Sequence, residues 1–245
     1  MRFFYHFGRY LLLLRQMFRR PENVRMYWDE LFRQMVTIGV GSLGIVTIIS
    51  VFMGAVTTVQ TAYQLISGLV AKTVIGAIVA DSSILELAPT ITSLVLAGKI
   101  GSSIASEIGT MRVTEQIDAL EIMGVNAPGY IIAPKILGAV LTIPMLIILS
   151  ISLCIGGGIF VGEATGILSS QQFIEGARSS FRGYNVFFSM TKAFTFAFII
   201  SSVSAYQGYY TNGGSLEVGQ SSTRAVVFSC ILILLSDYLL AQLLL

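Results

Sequence analysis

The sequence predicts an all-α integral membrane protein, and three observations carry that prediction. Charged residues make up only 11% of the 245 residues and hydrophobic ones 54%, against about 25% charged in an average soluble domain. The apolar residues fall into five runs long enough to cross a bilayer, a crossing that takes about 20 helical residues. Most of the charges lie between these runs or at their ends. A soluble domain of this length has no core large enough for so much apolar surface, so lipid is its natural solvent.

Taken in order, residues 1–33 form an interfacial helix and a linker, and residues 34–245 a five-span domain. Phe3, Phe7, Leu11, Leu14 and Phe18 recur on one helical face across residues 2–20. Arg2, Arg9 and Arg20 point the other way, and Arg15 and Arg19 are placed to snorkel. Leu12 and Leu13 interrupt the polar face. Pro21 ends the helix, and a bridge with Trp28 and Arg33 leads to the first span. The apolar stretch Tyr10 to Leu14 is too short for a cleavable signal peptide, and Arg15, Arg19 and Arg20 stand where small residues would be needed.

The spans fall at about 35–60, 82–106, 135–162, 187–206 and 225–244. Residues 34–71 hold no charge, which fits one long helix or a helix plus a non-polar loop. Glu86, Pro89 and Lys99 interrupt the second span, Pro144 the third, Lys192 the fourth and Asp237 the fifth. A Gly156-Gly-Gly158 cluster lies near the end of the third, and Gly158, Gly162 and Gly166 are spaced for a close helix crossing, as Gly39, Gly41 and Gly44 could be. The outer polar segment 163–185 is expected to contain a short helix over the outer mouth.

Residues 1–33 carry seven Arg and three acids, a local charge of +4 in a chain whose net charge is +2. The positive-inside rule therefore places the N-terminus in the cytoplasm and, with five spans, the C-terminus outside. Arg178 and Arg182 then fall on the outer side, an exception. An odd span count also excludes a simple pair of inverted repeats. The basic residues flank apolar segments and form no patch, so no nucleic-acid partner is expected. Cys154 and Cys230 sit in apolar stretches and read as packing residues, and the single His6 excludes a histidine metal site. No nucleophile–base pair or metal cluster argues for an enzyme.

Two features point to function. Between spans two and three, residues 107–121 read as a helix with an apolar stripe of Val113, Ile117 and Leu120 and an acidic side of Glu115, Asp118 and Glu121. Asn126-Ala-Pro-Gly129 turns the chain back to the membrane. Such a helix suits docking of a soluble partner, or is an ordinary solvated connector. The second feature is the set of intramembrane charges Glu86, Lys192 and Asp237. Each costs about 2.5–3.5 kcal/mol at the centre of a helix in the membrane, which implies mutual pairing or a wet cavity. Lys192 would neutralise one carboxylate and leave the other for a head group or a proton, unless the three merely fix packing or Lys192 snorkels outward. Thr57, Gln60 and Tyr63, late in span one, are candidates to line an amphipathic cavity.

Leu96-Ala-Gly-Lys-Ile-Gly-Ser-Ser-Ile-Ala-Ser-Glu-Ile-Gly-Thr-Met-Arg-Val-Thr-Glu-Gln116, then Leu120-Glu-Ile-Met-Gly-Val125 and Pro128, resembles the signature of the MlaE/YrbE permeases. Phe52-Met-Gly-Ala-Val56 with Gln60, Glu86-Leu-Ala-Pro89 and Thr223-Arg-Ala-Val-Val227 extend the resemblance over about residues 34–245. Some relatives have a basic residue before the span-two Glu, where this chain has Leu85. The resemblance implies a homodimer in a bacterial inner membrane, C-terminus periplasmic, that works with an MCE-domain carrier to move phospholipid or a related lipid. It further implies two P-loop ATPase subunits that bind the ATP and Mg, since this chain has no Gly-x-x-x-x-Gly-Lys-[Ser/Thr] and needs no cofactor of its own. Residues 107–121 would be the cytoplasmic coupling helix, with Glu107, Arg112, Glu115, Gln116, Asp118 and Glu121 contacting the ATPase. The alternative is an ion- or proton-coupled secondary transporter using Glu86 and Asp237.

Overall fold

The computed structural model describes residues 2–17, 24–65 and 71–244. Of the described residues 91% are helical and none lies in a strand. In chain order the helices are α1 (Arg2–Met17), α2 (Val24–Gln64), α3 (Thr73–Val113), α4 (Gln116–Ile122), α5 (Pro128–Ala164), α6 (Ser170–Ser180), α7 (Gly183–Tyr209) and α8 (Ser215–Leu244). Five are long and apolar enough to cross a membrane: Tyr27–Gln64 within α2, and α3, α5, α7 and α8. This is the all-α, five-span membrane architecture that the apolar runs predict.

The charge-free run after Gln34 continues α2 as one helix to Gln64. The second span starts at Thr73, earlier than the expected residue 82. The cause is the apolar run Thr73–Ala80, which joins the rest of the helix through Asp81, whose Oδ1 accepts from Asn185 at 3.5 Å. Within α3 the backbone widens into π-helix at Ser83–Ile91 and again at Ala97–Gly101. Pro89 lies in the first widened stretch, where its missing N–H breaks the regular ladder.

The chain folds into two compact units. The first comprises Met1–Gly39, Val95–Thr142 and Phe196–Ser236. Here α1 packs through the row that holds Leu13 and leaves Phe7 and Leu11 of the expected stripe on its outer side. A helix lying in the membrane surface turns that side to lipid. Leu13 is 1% exposed, while Phe7, Leu11 and Leu12 face outward. The His6–Tyr10–Leu13 row turns inward because its polar tips find partners. The Tyr10 hydroxyl donates to Ser202 Oγ at 2.8 Å, and His6 Nδ1 lies 2.8 Å from the Tyr206 hydroxyl. Burial holds the Tyr10 phenol above its usual range. The expected positions Phe18 and Pro21 lie outside the described residues.

The second unit comprises Val40–Leu94, Ile143–Thr195 and Asp237–Leu245. In it α2 and α5 cross so closely that a Cβ on Gly54 would collide with the Cys154 carbonyl, and one on Gly157 with the Val51 carbonyl. Small polar groups tie the same helices together. The Ser50 hydroxyl donates to Ser150 Oγ at 2.7 Å, and Ser150 Oγ is 2.8 Å from Thr92 Oγ1. The expected crossing stripe is corrected here. Gly158 faces Thr58 and Phe173, but Gly166 has φ +68° and lies in the turn that follows α5, beyond any helix contact. Helix α6 supplies the short helix expected in the segment 163–185. A reciprocal capping box of Ser169 and Gln172 starts it, and it packs on α3 through Phe173, which joins Ile75, Val79 and Leu168 in a buried cluster.

Candidate functional site

The three charges inside the spans of the second unit converge. Lys192 is fully buried, which excludes the snorkelling alternative. Its Nζ donates to Glu86 Oε1 at 2.6 Å and to the Leu85 carbonyl at 3.1 Å, and lies 2.7 Å from Asp237 Oδ1. The Leu85 carbonyl lies in the π-helical stretch, where Pro89, four residues on, has no N–H to give it. Thr90 Oγ1 is 3.4 Å from Glu86 Oε2 and 3.3 Å from Asp237 Oδ1, so its one proton can serve either carboxylate. The Phe188 ring lies 4.6 Å from the ammonium and covers it on another side.

One expectation changes. Lys192 contacts both carboxylates, so neither is left wholly to a substrate. With all three groups ionised the cluster still carries one negative charge, and Glu86 remains 46% exposed while Asp237 is 17% exposed. A residual charge in that setting attracts a cationic group, and Glu86 is the more accessible end. The Lys192 side chain also supplies a cation beside Glu86 in a chain that has Leu85 just before it.

In the first unit the segment between spans two and three is not one helix over 107–121. Helix α3 ends at Val113, Glu115 takes a left-handed conformation with φ 61°, and α4 begins at Gln116. Side chains brace this break. Arg112 Nη1 donates to Asp118 Oδ1 at 2.6 Å across it, and the Tyr209 hydroxyl donates to Glu121 Oε1 at 2.7 Å. Glu107 Oε2 lies 2.6 Å from Lys135 Nζ, off the angle of a hydrogen bond. Ile117 is fully buried and anchors α4. Four of the six expected ATPase contacts, Glu107, Arg112, Asp118 and Glu121, thus have partners within the chain. Glu115 and Gln116 are exposed at the break, and at the far end of α4 Ile122 is 87% and Met123 69% exposed.

The sequence matches the family described as Permease MlaE over residues 31–243. The chain belongs to the MlaE permease family. It is 38% identical over 218 residues to a probable ABC transporter permease protein of Rickettsia bellii, covering 89% of this chain and 84% of that one. A probable ABC transporter permease protein of Synechocystis is 35% identical, with 86% of this chain and 80% of the relative covered. The chloroplastic protein trigalactosyldiacylglycerol 1 of Arabidopsis thaliana is 32% identical across 89% of this chain and 62% of its own length.

In this MlaE permease the cavity-lining candidates divide. Thr57 Oγ1 donates back to the Met53 carbonyl at 2.9 Å, which takes up its polarity within α2. Gln60 and Tyr63 are exposed, Tyr63 to 77%, on the face that also shows Phe52 and Val56. No group of three or more His, Cys, Asp or Glu side chains is placed to hold a metal among the described residues. Sequence reasoning missed Ile122, Met123 and Tyr209. The first two carried a signal, two large apolar residues beside Gly124 in a polar turn. Tyr209 carried none, since its partner lies 88 residues away.

Proposed function

We propose that this MlaE permease is the membrane subunit of an ABC transporter that moves phospholipid or a related lipid between the inner membrane and a periplasmic MCE-type carrier. A partner P-loop ATPase binds ATP and Mg and supplies the energy; this chain itself makes and breaks no covalent bond. The observation that carries the reading is the braced turn at 112–123. It presents polar Glu115 and Gln116 at one end of α4 and an apolar tip, Ile122 and Met123, at the other, on an element held by the Arg112–Asp118 and Tyr209–Glu121 bonds. Exposed apolar residues rimmed by polar ones mark protein interaction sites. A rigid element of this kind transmits a push from a docked subunit to the spans on either side.

In a homodimer, Gln60 and Tyr63 supply hydrogen-bonding groups on an otherwise apolar helix face, which suits an amphipathic lipid. Lipid mass spectrometry on the complex purified from native membranes tests the reading. It should find a P-loop ATPase in stoichiometric amount and a lipid retained at the permease. A permease that purifies without any ATPase would count against it.

The buried cluster of Lys192, Glu86 and Asp237 favours a second reading, an ion- or proton-coupled secondary transporter. Gradient-driven flux in liposomes holding this chain alone would support it. Unchanged flux after Glu86→Gln with Asp237→Asn would remove it.

A further inference from the structure

The second unit holds a cavity of about 380 Å³ that neither the ion cluster nor the docking turn uses. Its walls come from α3 (Ile84), α5 (Ile148, Ile155), α6 (Phe173, Arg178) and α7 (Met190). The volume falls within the 300–1,000 Å³ typical of small-molecule sites. Of its lining residues only Ser152 and Arg178 are polar. Ser152 donates its hydroxyl to the Ile148 carbonyl at 3.1 Å, within its own helix. Arg178 is therefore the one polar group left to a ligand. It is exposed, and among the described residues it forms no ion pair.

An apolar groove with a single unpaired guanidinium at its margin suits a molecule with an alkyl chain and an anionic head. Arginine matches phosphate in particular, because its planar fork binds two oxygens at once. Arg178 is also one of the two basic residues that break the charge asymmetry of the loops, and Arg182 follows it four residues on. Lipid-facing grooves fill with acyl chains in any membrane, so the head-group contact is what makes this one selective. We propose that the groove under α6 holds one anionic glycerophospholipid per chain, an acyl chain against Ile148 and Ile155 and the phosphate on Arg178. The proposal goes beyond the transport reading and does not depend on it, since occupancy is read without ATP or any partner subunit.

The test uses the full chain in nanodiscs of phosphatidylcholine doped with phosphatidylglycerol, with native mass spectrometry counting the lipids retained on release. The intact protein should keep phosphatidylglycerol in excess of its share. Arg178→Gln should lower that preference about fivefold, the size of one basic contact at a lipid surface, while Arg224→Gln, on an exposed part of α8 in the first unit, leaves it unchanged. Ile155→Trp should reduce total retained lipid with the charge intact. An unchanged preference in folded Arg178→Gln protein would overturn the proposal. So would retention of added oleate in place of phosphatidylglycerol.

Discussion

Lys192 and Arg112 each hold a carboxylate oxygen at 2.6 Å, but in different surroundings. Lys192 is fully buried and is shared between two acids, whereas Arg112 and Asp118 stay 29% and 45% exposed. The equal distances hide unequal consequences. In water-accessible surroundings an ion pair contributes about 0–1 kcal/mol, because solvent already serves each partner. Within a membrane span the alternative to the partner is an uncompensated charge, and removing one member of a buried pair costs about 3–5 kcal/mol. One cluster is thus structural whatever else it does. The other braces the turn at which the proposed docking of an ATPase subunit would take place.

The largest expected effect tests the buried side. Lys192→Met leaves Glu86 facing Asp237 and should destabilise the protein by about 3–5 kcal/mol, read as lost yield and a lower unfolding midpoint in detergent. Adding Glu86→Gln and Asp237→Asn to that variant should restore a good part of the loss. A triple variant no more stable than Lys192→Met would show that the ammonium matters for packing and not for charge. Next in size is Gly54→Leu. It drives a side chain into the Cys154 carbonyl and should cost about 1–3 kcal/mol or more through overpacking, measured in the same unfolding assay.

On the exposed side the stability effects shrink and the functional ones grow. Tyr209→Phe removes the donor to Glu121 and should cost about 1 kcal/mol. Arg112→Ala should cost about 0–1 kcal/mol in the permease alone, yet weaken co-purification of the ATPase by loosening the turn. Ile122→Asp with Met123→Asp should leave the unfolding midpoint unchanged and abolish ATPase association in a pull-down.

The two regions were also unequally legible. The five spans follow from long apolar runs, a property of composition that needs no tertiary information. Glu86, Lys192 and Asp237 stood out one by one, since each is costly in lipid. That one ammonium meets both acids depends on residues up to 151 positions apart, which no local pattern encodes. The Leu85 carbonyl is an intermediate case, because Pro89 announces a missing N–H without naming the donor that reaches this carbonyl. The turn hid its break for a different reason. Glu115 adopts a left-handed conformation without the Gly or Asn that usually marks one. Along α1 the strong Phe7–Leu11 stripe masked the weaker His6–Tyr10–Leu13 row, whose value lies in its polar tips.

The most direct test of the central claim is phospholipid transfer by the permease reconstituted with its co-purified ATPase, followed with a fluorescent lipid. Transfer should require ATP and both proteins, and should vanish in the Ile122→Asp, Met123→Asp variant while its unfolding midpoint holds. Equal transfer by the permease alone, without ATP, would contradict the account.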